Sequence, residues 1–192
     1  KALRKQSFAA FEAKGFPDSS QEKWRFTEIE SALDQEFTHL IEEEKSNKNI
    51  DDIFRCEVHN FQSEIISVLN GWHHHRQEAL TTTADGVIYG SLIAAKKRFP
   101  ERFDQYFGQI AHSRNNSFVD LNTALVQDGV FIYVPKGVEA SKTLQIIKLI
   151  DRNTSTFVQS RLLIILEANS KLSLMHCDDS INHHSSLVNT VT

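Results

Sequence analysis

The spacing of short strand-like segments in the last third of the chain constrains the fold more than any other feature. Residues 130–134 alternate Val or Ile with Phe or Tyr, as in a strand with two distinct faces, and Pro135 and Gly137 end the segment. Similar segments centre near Ile146, Ile164, Leu174 and Val188. These centres are too close in sequence for helical crossovers between parallel strands. A sandwich, a barrel and a β-solenoid all fit, and the uniformly apolar segment Leu162–Leu166 favours a sheet covered on both sides or one stacked in a coil.

The first 110 residues have a different character, because about 29% of them are charged against about 17% of the remainder. Phe and Leu at helical spacing among these charges predict helices over residues 3–14, 27–37, 91–98 and 100–110, and the same spacing predicts one more helix beyond them, over residues 118–127. Thr27 and Glu30 have capping-box spacing, and Asn70-Gly71 predicts a type I′ hairpin turn. The predicted order is α+β: a mainly helical domain with a small hairpin over residues 1–117, then a strand-rich domain over 118–192.

Charge and composition exclude several classes of protein. The net charge of −4 and the pI near 6.1 provide no basic field for nucleic acid or an anionic membrane. The longest apolar runs are far shorter than the roughly 20 residues that span a bilayer. Two cysteines, Cys56 and Cys177, suit a reducing compartment, so we expect a soluble cytoplasmic protein. Because the chain starts without Met and stops within a Val/Thr alternation, we also expect it to be the first portion of a longer protein.

One cluster of side chains resembles a metal site. His176, Cys177, Asp178, Asp179, His183 and His184 lie within nine positions. On a strand, His176 and Asp178 would share one face while Cys177 points to the other, so only part of the cluster can converge on one ion. An exposed polar strand end is the preferred interpretation. A metal-dependent enzyme using His176, Asp178 and His183 or His184 is the alternative.

The remaining candidates are weaker. His73, His74 and His75 follow Trp72 on a predicted strand, and we interpret them as a solvated edge. Cys56 beside Arg55 could have a lowered pKa, although a lone cysteine is more often a packed small side chain. The sequence has no nucleophile elbow, Walker loop, dinucleotide fingerprint or H-E-x-x-H motif. We therefore assign no catalytic, cofactor or metal residue and expect a scaffold rather than an enzyme.

Two stretches resemble the SufB/SufD family of iron–sulfur cluster assembly proteins. Gly15-Phe16-Pro17 followed by Glu22, Trp24, Arg25, Phe26 and Thr27 resembles an element of the SufD branch, which the SufB branch lacks. Residues 121–125 (LNTAL) and 128–137 (DGVFIYVPKG) resemble the signature that opens the core domain of both branches. Val68–Trp72 and Arg161–Glu167 also fit their places in the family, whereas residues 45–60 match poorly.

The resemblance implies a fold and a role. The implied fold is an N-terminal helical domain followed by a right-handed parallel β-helix, here incomplete at its C-terminus. The implied role is a non-enzymatic scaffold that pairs with SufB, or with a second copy of itself, through the β-helix and docks the ATPase SufC. An iron–sulfur cluster, and ATP through SufC, would then belong to the complex and not to this chain. A third hypothesis, a sugar-binding solenoid, requires exposed aromatic ladders, and residues 111–192 offer only Phe118, Phe131, Tyr133 and Phe157.

Overall fold

The computed structural model describes residues 2–43, 50, 63–74, 78–111 and 116–192. The α-helices are Ala2–Lys14 (α1), Ile29–Leu33 (α2), Leu92–Arg98 (α3), Pro100–Tyr106 (α4) and Ser117–Leu125 (α5), and Glu22–Trp24 forms a 3₁₀ turn. The strands are Thr38–His39 (β1), Ser63–Leu69 (β2), Trp72–His74 (β3), Leu80–Thr82 (β4), Ile88–Ser91 (β5), Gly129–Val134 (β6), Thr143–Ile150 (β7), Thr156–Leu166 (β8), Leu174–Ser180 (β9) and Ser186–Val191 (β10). No helix in these ranges is long and apolar enough to cross a membrane.

Local sequence signals explain the ends of most helices. Gly15 takes a left-handed φ of 68° after α1, and its N–H donates to the Phe11 carbonyl at 2.7 Å. The Ser91 hydroxyl caps α3 by accepting from the Ala94 N–H, and Asn116 caps α5 in the same way through Phe118. These helices confirm the predicted segments, although α4 ends at Tyr106 instead of residue 110.

The predicted capping box at Thr27 is wrong. The N-cap of α2 is Glu28, without a side-chain cap, and the helix has only five residues. The Thr27 N–H instead donates to the Trp24 carbonyl, which ends the preceding 3₁₀ turn. Because that turn takes up the backbone before α2, Thr27 does not adopt the cap position that its spacing suggested.

The strands form two sheets. The first has six strands in the order β1-β8-β6-β5-β4, with β10 also paired to β8. The second has the order β3-β2-β7-β9. From β6 to β10, consecutive strands alternate between the two sheets, so each link crosses from one sheet to the other. Pairing within each sheet is parallel for β6-β8-β10 and for β2-β7-β9.

The predicted right-handed parallel β-helix is wrong, and so is the α+β order. The chain is a mixed α/β structure with two mixed sheets, because β2-β3, β4-β5 and β5-β6 are antiparallel pairs. The Asn70-Gly71 turn, with φ of 52° and 89°, folds β3 back on β2 as predicted, and β5 meets β6 edge to edge in the opposite direction. Strands β1 to β5 also precede α3 in the chain, so helices and strands are interspersed. The domain division at residues 117 and 118 stays a prediction.

The alternation predicted for residues 130–134 is confirmed by the two cores that β6 separates. Its even positions lie between the sheets, with Ile66 and Val68 of β2 and Leu144 and Ile146 of β7. Phe131 and Tyr133 face the helices and pack with Leu92, Ala95 and Phe103. The first sheet is therefore covered on both faces, as its apolar strands predicted.

Helix α1 is held to the helix that precedes β6. The Lys14 ammonium lies 2.9 Å from the buried Asp120 carboxylate of α5, and Arg4 donates to the carbonyl of Val126. The rings of Phe16 and Trp24 lie 5.6 Å and 5.5 Å from that of Phe118. The first stretch that resembles the SufB/SufD family therefore packs on α5, the helix in which the second stretch begins.

Candidate functional site

The first candidate site is the turn from α5 into β6, where the second family-like stretch lies. Asp128 is 4% exposed, and its carboxylate accepts from the Ser91 hydroxyl and the Ile93 N–H, both at 3.0 Å, and from the His73 N–H at 3.2 Å. Burial raises the pKa of this carboxyl, against the hydrogen bonds that lower it. The three donors belong to β3, β5 and α3, so Asp128 joins three elements and is buried from solvent.

Gly129 follows Asp128 at the point where β6 meets β8. Its φ is 156°, and a Cβ atom there would lie 2.0 Å from the carbonyl oxygen of Arg161. No side chain fits at that distance. The glycine is therefore required by the close approach of the two strands.

A polar network joins α5 to the first sheet. Asn122 is fully buried and donates through Nδ2 to the carbonyls of Ser160 and Asn189, both at 2.9 Å. Arg161 donates through Nη1 to Asn122 Oδ1 and to Thr123 Oγ1, both at 3.1 Å. The network therefore ties α5 to two neighbouring strands, β8 and β10.

Arg161 is a buried cation whose described contacts include no carboxylate. Its guanidinium is 4.8 Å from the centre of the Phe107 ring, and burial lowers its pKa to about 10. An arginine with that pKa stays charged at neutral pH. Because its described partners are an amide, a hydroxyl and an aromatic face, the charge stabilises the contact between helix and sheet.

The second candidate site is the predicted metal cluster. His176 Nε2 lies 3.3 Å from Asp178 Oδ2, so these two side chains converge as strand alternation predicted. Their third partner is Lys148 of β7, whose Nζ lies 2.9 Å from Asp178 Oδ1 and 3.0 Å from the Thr190 hydroxyl. Burial and the Lys148 charge lower the pKa of His176, and Asp178 partly opposes them. An ammonium in contact with the carboxylate disfavours a cation at the same place.

The other members of the predicted cluster lie elsewhere. His183 and His184 are exposed in the turn between β9 and β10, and Cys177 is in register with Ile147, on the face opposite to His176. Gln145 donates to the Cys177 sulfur at 3.7 Å. Within the described ranges, no group of three His, Cys, Asp or Glu side chains is placed to hold a metal ion.

The other residues that the sequence analysis singled out are three histidines, Cys56 and the aromatic residues of the predicted second domain. His73, predicted as part of a solvated edge, is 7% exposed, and only its backbone reaches Asp128. His75 and Cys56 lie outside the described residues. Phe131 is buried and Phe118 packs on Phe16, so these two do not contribute to an exposed aromatic ladder.

Sequence reasoning missed Lys148 and Arg161. Each is less than a tenth exposed and lies in a strand whose other residues are all uncharged. A cation inside a strand predicted to be covered on both sides is a signal that was present in the sequence. The partners of these residues were not predictable, because they come from β9, β10 and α5.

Comparison with known proteins shows to which family the chain belongs. Residues 1–146 match the family described as SufBD protein N-terminal region. The chain belongs to this family. The match includes both stretches on which the resemblance rested, the Trp24 element and the signature from Leu121 to Gly137.

Curated relatives carry the same family name. The chain is 34% identical over 91 residues, 47% of its length, to the iron-sulfur cluster assembly SufBD family protein slr0074 of Synechocystis. It is 28% identical over 123 residues, 64% of its length, to the SufBD family protein ABCI9 of Arabidopsis thaliana. It is 27% identical over 110 residues, 57% of its length, to the iron-sulfur cluster assembly protein SufB of Bacillus subtilis. The matched regions cover 19%, 24% and 22% of these relatives.

Proposed function

We propose that this chain belongs to a scaffold subunit of a SufB–SufC–SufD complex, which assembles iron–sulfur clusters in the cytoplasm, and that it has no catalytic activity of its own. The observation that supports the proposal is the family match over residues 1–146. Iron–sulfur cluster assembly is also the role named for the cyanobacterial, plant and Bacillus relatives.

The chemistry of the signature agrees with a scaffold. Asn122, Asp128 and Gly129 are the residues of the signature with the most constrained surroundings, and each is buried or in van der Waals contact with backbone. Their partners are backbone groups, a capping hydroxyl and a buried guanidinium. Such residues fix the positions of helices and strands, and a scaffold needs that property.

Within the complex we assign the chain to the SufD branch, with SufB and the ATPase SufC as its partners. The support is the Trp24 element, which is similar to SufD and which packs on Phe118 at the start of α5. ATP and the cluster would be handled by the assembled complex, with ATP bound by SufC.

The test is co-purification of the intact protein with tagged SufC and SufB of the same organism. We expect a stable complex of the three proteins, and we expect SufC to hydrolyse ATP faster in that complex than alone. A matched control replaces the intact protein with an unrelated acidic protein of similar size. An intact, folded protein that binds neither SufB nor SufC would refute the proposal.

The metal-dependent enzyme is tested separately by metal analysis of the purified protein. Because the Lys148 ammonium pairs with the Asp178 carboxylate, we expect the purified protein to contain no metal ion in stoichiometric amount. A stoichiometric ion that is lost in His176→Ala would support this second function in place of the scaffold.

A further inference from the structure

The inner space between the two sheets changes from apolar to polar along its length. At one end Ile66, Ile132 and Ile146 fill it. At the other end lies a cavity of about 180 Å³, whose polar lining includes Lys148, Ser160 and Asp178. A volume of this size admits several water molecules or a small anion.

Strand alternation explains why these side chains meet. Lys148 follows Ile146 on the same face of β7, and Asp178 is its register partner on β9. Ser160 precedes Leu162 on the inner face of β8, and Thr190 of β10 is its register partner. The polar end of the space is therefore formed by four strands from both sheets.

Ser160 supplies the observation that points to a ligand. Its side chain is 1% exposed, and its hydroxyl oxygen has no hydrogen-bond partner among the described residues. A buried hydroxyl without a partner destabilises the folded chain, so an occupant of the cavity that accepts its hydrogen bond is favoured.

Lys148 supplies the charge. The exposed fraction of its side chain is 7%, whereas that of its partner Asp178 is 59%. The carboxylate therefore approaches the ammonium from the solvent side, and it can turn into water at little cost. The ammonium has no such freedom, so an anion must replace the carboxylate whenever Asp178 leaves.

We propose that this cavity binds a small oxyanion, which takes the place of the Asp178 carboxylate on the Lys148 ammonium and accepts a hydrogen bond from the Ser160 hydroxyl. The proposal does not depend on the scaffold function. In the unliganded chain Asp178 acts as the internal counterion, and it keeps the affinity for external anions low.

The test is isothermal titration calorimetry of the intact protein with inorganic phosphate, at constant ionic strength set with chloride. We expect the wild-type chain to bind weakly and Asp178→Asn to bind at least tenfold more tightly, because the competing carboxylate is gone. Adding Ser160→Ala to that variant should weaken binding threefold or more. Lys148→Met should bind no phosphate.

Glu139→Gln is the matched control for net charge. It removes one negative charge from an exposed ion pair with Lys171, 3.1 Å away, outside the cavity. Equal phosphate affinity in Asp178→Asn and Glu139→Gln would overturn the proposal, as would binding that is unaffected by Ser160→Ala. Neither of these two outcomes requires the Lys148→Met variant to fold. Its circular dichroism spectrum will show whether it does.

Discussion

The contact between Gly129 and Arg161 can be tested by replacing the glycine with alanine. The added Cβ would lie 2.0 Å from the Arg161 carbonyl oxygen and 3.0 Å from its carbonyl carbon and nitrogen. Ordinary contacts of a Cβ atom begin near 3.4 Å. The start of β6 must therefore move away from β8 by more than 1 Å, measured along that contact.

The expected loss of stability follows from what this movement breaks. Gly129 begins a run of six parallel pairs between β6 and β8, and Val130 beside it is fully buried. Losing two ladder hydrogen bonds costs about 2 kcal/mol, and the disturbed packing at Val130 and the unfavourable φ add about 1–2 kcal/mol each. We expect Gly129→Ala to lower the free energy of unfolding by about 4 kcal/mol or more.

Gly137→Ala is the control, because it makes the same substitution in the same signature. Gly137 has φ of 73°, and a Cβ there meets nothing within 4 Å. Only the unfavourable φ remains, and the alanine recovers part of that cost through the unfolded state. We expect a loss of about 1 kcal/mol.

The assay is urea-induced unfolding followed by circular dichroism, with the free energies extrapolated to water. The two variants should differ by about 3 kcal/mol, provided that Gly129→Ala folds at all. A difference smaller than about 1 kcal/mol would refute the close approach of β6 and β8 at this position.

The same unfolding assay tests three further residues. Asn122→Ala removes two hydrogen bonds to carbonyls of β8 and β10 and leaves Arg161 with one partner fewer. We therefore expect the free energy of unfolding to fall by about 3 kcal/mol. A fall of less than about 1 kcal/mol would contradict the hydrogen-bond network. Burial raises the pKa of Asp128, so this carboxyl stabilises the fold most below the ordinary pKa of 3.8, and its contribution falls as the pH rises through the folded-state pKa. Asp128→Asn should abolish this dependence of the unfolding free energy on pH. An unchanged pH dependence would assign it to other groups. Burial and Lys148 lower the pKa of His176 below 6.5, so stability should fall as the pH drops below 6.5, and His176→Asn should flatten that fall.

Periodicity predicted faces more reliably than partners. The alternation in residues 130–134 placed Val130, Ile132 and Val134 on one face, and these three side chains share one core in the structure. The pattern holds no information about which strand lies alongside. The antiparallel pairing of β5 with β6 depends on residues 88–91, whose strand character is masked by the Gly and Ser before α3.

Helix ends were also predicted correctly only where they depend on nearby residues alone. Ser91 and Asn116 cap their helices as residues of their type do, because a cap depends on contacts within a few residues of the chain. Thr27 has an equally good spacing, but the 3₁₀ turn before it uses its N–H. A capping residue in the sequence therefore predicts a helix end only where no neighbouring element already uses its backbone N–H in a hydrogen bond.

The residues that identify the family and the residues with reactive side chains lie in different parts of the chain. The residues that carry the family resemblance, from Leu121 to Gly137, hold backbone in place, so they identify the fold of a family without revealing a reaction. The cluster with the most versatile chemistry, formed by Lys148, His176 and Asp178, lies after residue 146, where the family match ends. Family membership therefore neither supports nor opposes an anion site in that cluster. The phosphate titration of Asp178→Asn therefore tests a property of Lys148 and its neighbours that is independent of the family match.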